Sequence, residues 1–315
     1  MTTNTKELLN VFLNAKSEST RKTYIDRILA IKKLVYYEPD NLSFLEDHNK
    51  IIKFIDTSDT KSATKALSYI ALSVVTALIG ATNKDIYHNK MMEFKNINMK
   101  ERQDNIINEE IKEHWATSEE LKKMYYEMPE TTPEEIQDKA ILSLYILQPP
   151  LRNDYAKIKI LNRSPRKENF ENYIVVTKSK IEFCINQHKT ADNYGAISLN
   201  YDDNHHPEIY RILKKWLEHN KTNYLFIRES TQRTLNENDM TKKIPLIFEK
   251  HIKKHITIQL LRQIYETEEQ NKESYINGTL KDRIAVHEQL KHSHGVAMEY
   301  RKLIKKNSPK KETII

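Results

Sequence analysis

Residues 172–199 read NYIVVTKSKIEFCINQHKTADNYGAISL, the one strand-rich stretch in a chain whose other periodic segments are helical. Three runs in it, 172–177, 180–187 and 195–199, are rich in β-branched and aromatic residues and separated by turn-forming ones. Just upstream, 156–161 (AKIKIL) alternates with a period of two. Together they predict a small antiparallel β-sheet. The fold class is then mainly α with that sheet added (α+β).

Outward from the sheet the pattern turns helical. Upstream, Thr132-Pro133-Glu134-Glu135 starts a helix, with Pro at its first position, and Pro149-Pro150 ends it. Downstream, helices are predicted over 207–220, 240–254, 257–269, 281–290 and 296–305. Nearer the N-terminus, Ser19 or Thr20 caps a helix carrying Tyr24, Ile28, Ile31 and Val35 at helical spacing. A short helix follows over 49–56. Ser62 caps a longer one stopped by Gly80, and 84–112 contains a fourth. Only four glycines occur in the chain, which suits long helices. The organisation predicted is a helical bundle over 1–113, a linker over 114–118 (HWATS) and a second domain over 119–315.

Composition narrows the function classes. The chain has 315 residues, enough for two domains. Lys plus Arg number 51 against 44 Asp plus Glu, a net charge of +7, which suits a polyanion partner without requiring one. Cys184 is the single cysteine, so an intramolecular disulfide and a thiolate zinc site are both excluded, and a reducing, intracellular setting fits. The N-terminus lacks an apolar core of signal-peptide length. The longest apolar run, 69–80 (YIALSVVTALIG), is too short to span a bilayer and reads as a buried helix. A soluble protein with no membrane partner is expected. The basic tail RKLIKKNSPKK suits nuclear entry or plain solvated charge.

Four segments carry chemistry. PPLRNDY (149–155) places Arg152 just after a helix stop, and a guanidinium fork can hold two phosphate oxygens at once. The strand-turn segment FCINQHKTADNYGAISL presents Lys189, with Lys178 and Lys180 as weaker alternatives. ITIQLLRQIY (256–265) carries Arg262, preceded by Gln259. LKHSHGVAMEY (290–300) carries His292, then Ser293, with Tyr300 eight residues after the histidine. His287 and His294 read as surface residues. Each segment alone is ordinary.

In this order the set resembles the tyrosine recombinases, or phage-type integrases, and especially their eukaryotic DNA virus and virophage members. The resemblance covers roughly 118–302, and more loosely the N-terminal bundle, which is similar to that family's core-binding domain. It implies a C-shaped clamp of two domains on duplex DNA. It also implies site-specific cleavage and rejoining through a 3′-phosphotyrosine, with no metal or other cofactor. Tyr300 would be the nucleophile, Arg152, Arg262 and His292 would hold the phosphate, and Lys189 would protonate the leaving 5′ oxygen. Three features depart from the pattern. Asp154 and Tyr155 displace the acid usual three residues after the first arginine. Gln259 stands where histidine is usual, and glutamine bonds a phosphate but cannot exchange a proton near neutrality. Lys291 replaces a glycine.

The same resemblance implies a dimer or tetramer on DNA. It places the protein intracellularly at DNA, in a host nucleus, a viral factory or a virion. Leu303 and Ile304 would dock the tail on a neighbouring copy. Arg21, Lys22, Lys61 and Lys65 are the DNA-contact candidates of the bundle. Three other readings stay open: a type IB topoisomerase-like enzyme, a catalytically impaired recombinase-fold DNA-binding protein, and an unrelated helical nucleic-acid binder.

Overall fold

The computed structural model describes residues 4–37, 40–103, 107, 109–165 and 171–302. The chain divides into two compact units, Met1–Asp104 and Asn105–Ile315. Each has its own apolar core.

The first unit is helical: α1 (Thr5–Phe12), α2 (Glu18–Leu34), α3 (His48–Thr57), α4 (Ser62–Leu78) and α5 (Lys84–Gln103). In α2 the spacing of Ile25, Ile28 and Ile31 puts all three on the buried face. Its cap is Ser17, not Ser19 or Thr20, because the Ser17 hydroxyl is the one that reaches the Thr20 amide. Likewise Ser62 is the first helical residue of α4, and Lys61 occupies the cap position without a side-chain bond that caps the helix. The apolar run at 69–80 forms most of α4, with Tyr69, Ala71, Leu72 and Val75 buried. Gly80 ends it at φ +68°, a left-handed conformation that glycine adopts without strain. Among the described residues no helix is long and apolar enough to cross a membrane.

The second unit starts with α6 (Glu109–His114), α7 (Ser118–Glu127) and α8 (Pro133–Ile146). The 114–118 segment lies within this unit, with Ala116 buried and Trp115 packed against the core. The Trp115 carbonyl accepts from Lys254 Nζ at 2.6 Å. Thr132 caps α8 in a capping box with Glu135, and Pro133 occupies its first turn. Then come β1 (Lys159–Leu161), β2 (Tyr173–Val176), β3 (Lys180–Ile185), α9 (Ala191–Tyr194) and β4 (Ile197–Asp202). These strands form one sheet in the order β1-β2-β3-β4.

The sheet is mixed rather than antiparallel. β1 runs parallel to β2, with Lys159 opposite Tyr173, while β2–β3 and β3–β4 are antiparallel. The reason is the connection: β1 and β2 are joined by more chain than a tight turn needs, so the chain can return and run in the same direction. β3 follows the predicted alternation, burying Ile181, Phe183 and Ile185.

The rest is α10 (Pro207–His219), a two-residue ribbon of β5 (Ile227–Arg228) with β6 (Arg233–Thr234), α11 (Glu237–Ile252), α12 (Ile258–Asn271), α13 (Glu273–Ile276), α14 (Leu280–Gln289) and α15 (His294–Tyr300). The β5–β6 ribbon went unpredicted because two-residue strands have no periodicity to read.

Candidate active site

α8 is buried along nearly its whole length, so its end is a fixed point from which the 149–155 turn departs. The Tyr145 hydroxyl donates to the Arg152 carbonyl at 2.7 Å. Asp154 accepts from the Arg152 backbone N–H at 3.0 Å, so the displaced acid secures the backbone of the turn. Tyr155 is fully buried, and its hydroxyl accepts from Gln148 Nε2 at 2.7 Å. It also joins an edge-to-face series of rings, Tyr145–Tyr155–Phe183–Tyr201, that binds the turn to the sheet. The Arg152 side chain is left half-exposed on a rigid base.

Arg262 lies on α12 and is 1% exposed. Its guanidinium donates to the Pro150 carbonyl at 2.6 Å and to the Leu290 carbonyl at 2.9 Å. One side chain thus ties the Arg152 turn and the His292 loop to α12. Among the described residues neither Arg152 nor Arg262 forms an ion pair, and Arg262 Nε has no partner. Burial, and then the Arg152 cation, hold the Arg262 guanidinium below its ordinary value. The guanidinium also lies 5.6 Å from the centroid of the Tyr300 ring.

The 290–300 segment is a turn followed by a short helix. Lys291 has φ +53°, so a non-glycine residue takes the left-handed conformation in this turn. Ser293 then caps α15. α15 is held along α12 by Gln270, which donates to the Ala297 carbonyl at 3.1 Å, and by Thr267, which accepts from the Lys302 amide at 2.9 Å. Tyr300, half-buried, donates to Gln259 Oε1 at 3.1 Å, and its ring centroid lies 5.0 Å from that of His292. Gln259, Arg262, His292 and Tyr300 therefore meet, and Arg262 is bonded through the Pro150 carbonyl to the turn that carries Arg152.

Lys189 lies in the β3–β4 connection, exposed and without an ion pair among the described residues. Its neighbour Thr190 donates to the Lys291 carbonyl at 3.3 Å, so that connection touches the His292 loop. Lys180 is paired with Glu182 within its own strand. In the first unit, Arg21 and Lys22 line a shallow recess with Lys6, Glu18 and Asp26. Lys65 Nζ donates to the Asp56 carbonyl at 2.7 Å, and Lys61 is exposed at the start of α4. Leu303 and Ile304 lie outside the described residues.

His287 is no surface residue: it is fully buried. It belongs to a network that sequence reading missed, centred on Glu266 of α12. Glu266 meets His292 Nε2 at 2.6 Å and His287 Nδ1 at 3.1 Å, and accepts from Gln270 Nε2 at 3.0 Å. The Tyr275 hydroxyl bonds His287 Nε2 at 2.9 Å. Burial alone would raise the Glu266 carboxyl, but the bonds from His292 and Gln270 and the two imidazoles outweigh it and hold it low. Burial pushes the His292 imidazole below its ordinary value; Glu266 opposes this, and Arg262 and His287 reinforce it.

Glu266, His287 and His292 each offer an atom within 4.8 Å of the others, the kind of set that can hold a divalent metal. Here those atoms satisfy one another. A signal for Glu266 did exist: an acid four residues after Arg262 shares its helix face.

No protein-family model and no curated protein sequence matches the chain. Among solved structures, the crystal structure of XerA recombinase is similar at 15% identity and a TM-score of 0.39, over 95% of this chain and 94% of that one.

Proposed function

We propose that this protein cleaves and rejoins DNA strands as a tyrosine recombinase does, with Tyr300 as nucleophile. One observation carries the reading. Arg262 is buried and forms no ion pair among the described residues, it is bonded to the Pro150 carbonyl of the turn that carries Arg152, and the Tyr300 ring lies against it. A buried cation without a counter-ion is costly unless an anion completes it. A phosphodiester is the anion that this arrangement and an adjacent phenol suit best.

Arg152 and Arg262 hold the nonbridging oxygens and offset the charge that grows on them in the transition state. The Tyr300 oxygen attacks phosphorus in line and the 5′ oxygen leaves, taking a proton from Lys189. The 3′-phosphotyrosine stores the bond energy, so no nucleotide is consumed when a 5′ hydroxyl reverses the step. Duplex DNA is the substrate, bound by a dimer or tetramer. Gln259 favours a second reading, a DNA-binding protein of this fold with impaired chemistry, because glutamine cannot exchange a proton.

Trapping on nicked suicide DNA separates the two. A covalent adduct with the wild-type chain, abolished in Tyr300→Phe while DNA binding persists, is the expected result. Binding without any adduct would establish the second reading, and adducts that persist in Tyr300→Phe would refute the nucleophile.

A further inference from the structure

We propose that Glu266 is a positioning residue that sets His292 as the proton acceptor for Tyr300, an inference that rests on the function proposed above. The Tyr300 hydroxyl donates its hydrogen bond to Gln259, which cannot accept a proton in exchange. Attack on phosphorus requires that proton to go elsewhere. His292 is the imidazole whose ring lies against Tyr300, edge-on at 78° with centroids 5.0 Å apart.

The bonding of His292 decides which nitrogen is available. Its Nε2 lies 2.6 Å from Glu266 Oε1, and the side-chain exposures of the pair are 1% and 0%. An ionised carboxylate only accepts, so Nε2 carries the hydrogen and Nδ1 keeps a lone pair. Nδ1 is buried and has no hydrogen-bond partner among the described residues. An unsatisfied buried nitrogen calls for an explanation, and a waiting base supplies one.

The groups around His292 suit this task. Burial, with the Arg262 and His287 charges beside it, disfavours a resting imidazolium, and the His287 ring lies 6.3 Å from that of His292. Glu266 provides the opposing charge once the proton arrives. His287 Nδ1 and Gln270 hold Glu266 in place, and Tyr275 holds His287. The ordering is that of an acid that orients a catalytic imidazole and stabilises its charged form.

The step balances. The Tyr300 O–H proton passes to His292 Nδ1 while the Tyr300 oxygen–phosphorus bond forms. The phosphorus–O5′ bond breaks, and O5′ takes a proton from the Lys189 ammonium. Rejoining reverses both transfers, and no co-reactant is consumed.

The test combines ¹⁵N NMR of the histidines in the full chain with single-turnover cleavage of nicked DNA across pH. Wild type, Glu266→Gln and Tyr300→Phe are compared, with His292→Gln used to assign the signal. In the wild type His292 should show a protonated Nε2 and a bare Nδ1. In Glu266→Gln the tautomers should mix, because a glutamine amide can either donate or accept. Cleavage should then fall about 10- to 100-fold, within the range a general base contributes. Its acidic limb should move to lower pH, and DNA affinity should hold.

A wild-type His292 protonated on Nδ1 overturns the proposal, and that readout stands even if Glu266→Gln fails to fold. Cleavage by Glu266→Gln at the wild-type rate with an unmoved acidic limb also overturns it, while leaving the function proposed for Tyr300 intact. Absence of any wild-type adduct would instead sink that function, with the tautomer still measured.

Discussion

Arg262 shows how one buried side chain can tie distant segments together. Its two bonds to the Pro150 and Leu290 carbonyls join segments 112 and 28 residues away, inside a region with almost no solvent access. Arg262→Ala should therefore unfold the second unit more readily, by about 2–4 kcal/mol, because it orphans two buried carbonyls and opens a cavity. Urea denaturation would show this as a lower midpoint. A variant of undiminished stability would mean that the carbonyls find water instead. His292 adds a pH dependence. Its folded value lies below the ordinary 6.5. Its contribution to stability is therefore whole above that pH and lost as pH falls through it, because the unfolded chain takes up the proton first. Glu266, held below its ordinary 4.5, acts in the same sense at lower pH. Melting temperature should fall as pH drops below about 6.5, and His292→Gln should flatten that fall.

At the level of elements, most starts and stops were legible because they depend on local chemistry. Thr132-Pro133 begins α8, and alternation marks β3, as their side chains alone require. Long-range pairing was not legible: nothing in 156–161 states that β1 will run parallel to β2. The site was legible as an ordered set of segments. The bonds that join them were not, since Glu266 meets His292 26 residues away and its burial is a property of the folded unit. The turn before α15 illustrates the middle ground. Lys291 occupies a left-handed conformation that a side chain adopts at a cost of about 1 kcal/mol. Lys291→Gly should leave thermal stability within about 1 kcal/mol of the wild type, as relief of strain offsets the added freedom of the unfolded chain. Lys291→Val, β-branched, should lose more than that. Equal stabilities for the two variants would show that the left-handed geometry is not kept in solution.

The charge of the whole molecule bears on how it would meet DNA. A net charge of +7 arises from 51 cations against 44 anions, so a long-range field must come from placement rather than from the total. In the first unit that placement is mixed. Arg21 and Lys22 share their recess with Glu18 and Asp26, and Lys65 is bound to a carbonyl. In the second unit, by contrast, neither Arg152 nor Arg262 forms an ion pair among the described residues, and Arg262 is bonded to the turn that carries Arg152. Affinity for duplex DNA should therefore depend steeply on salt, since each phosphate neutralised releases counterions and contributes about 0.9 to the log–log slope. Arg152→Ala should weaken binding and lower that slope by about 1. The pair Arg21→Ala and Lys22→Ala should lower it by less than about 2, because neighbouring carboxylates already offset part of their charge. Fluorescence anisotropy on one duplex, titrated with salt, measures all three slopes. A wild-type affinity indifferent to salt would argue against phosphate recognition. A larger loss from the Arg21 and Lys22 pair than from Arg152 would move the principal contact to the helical bundle.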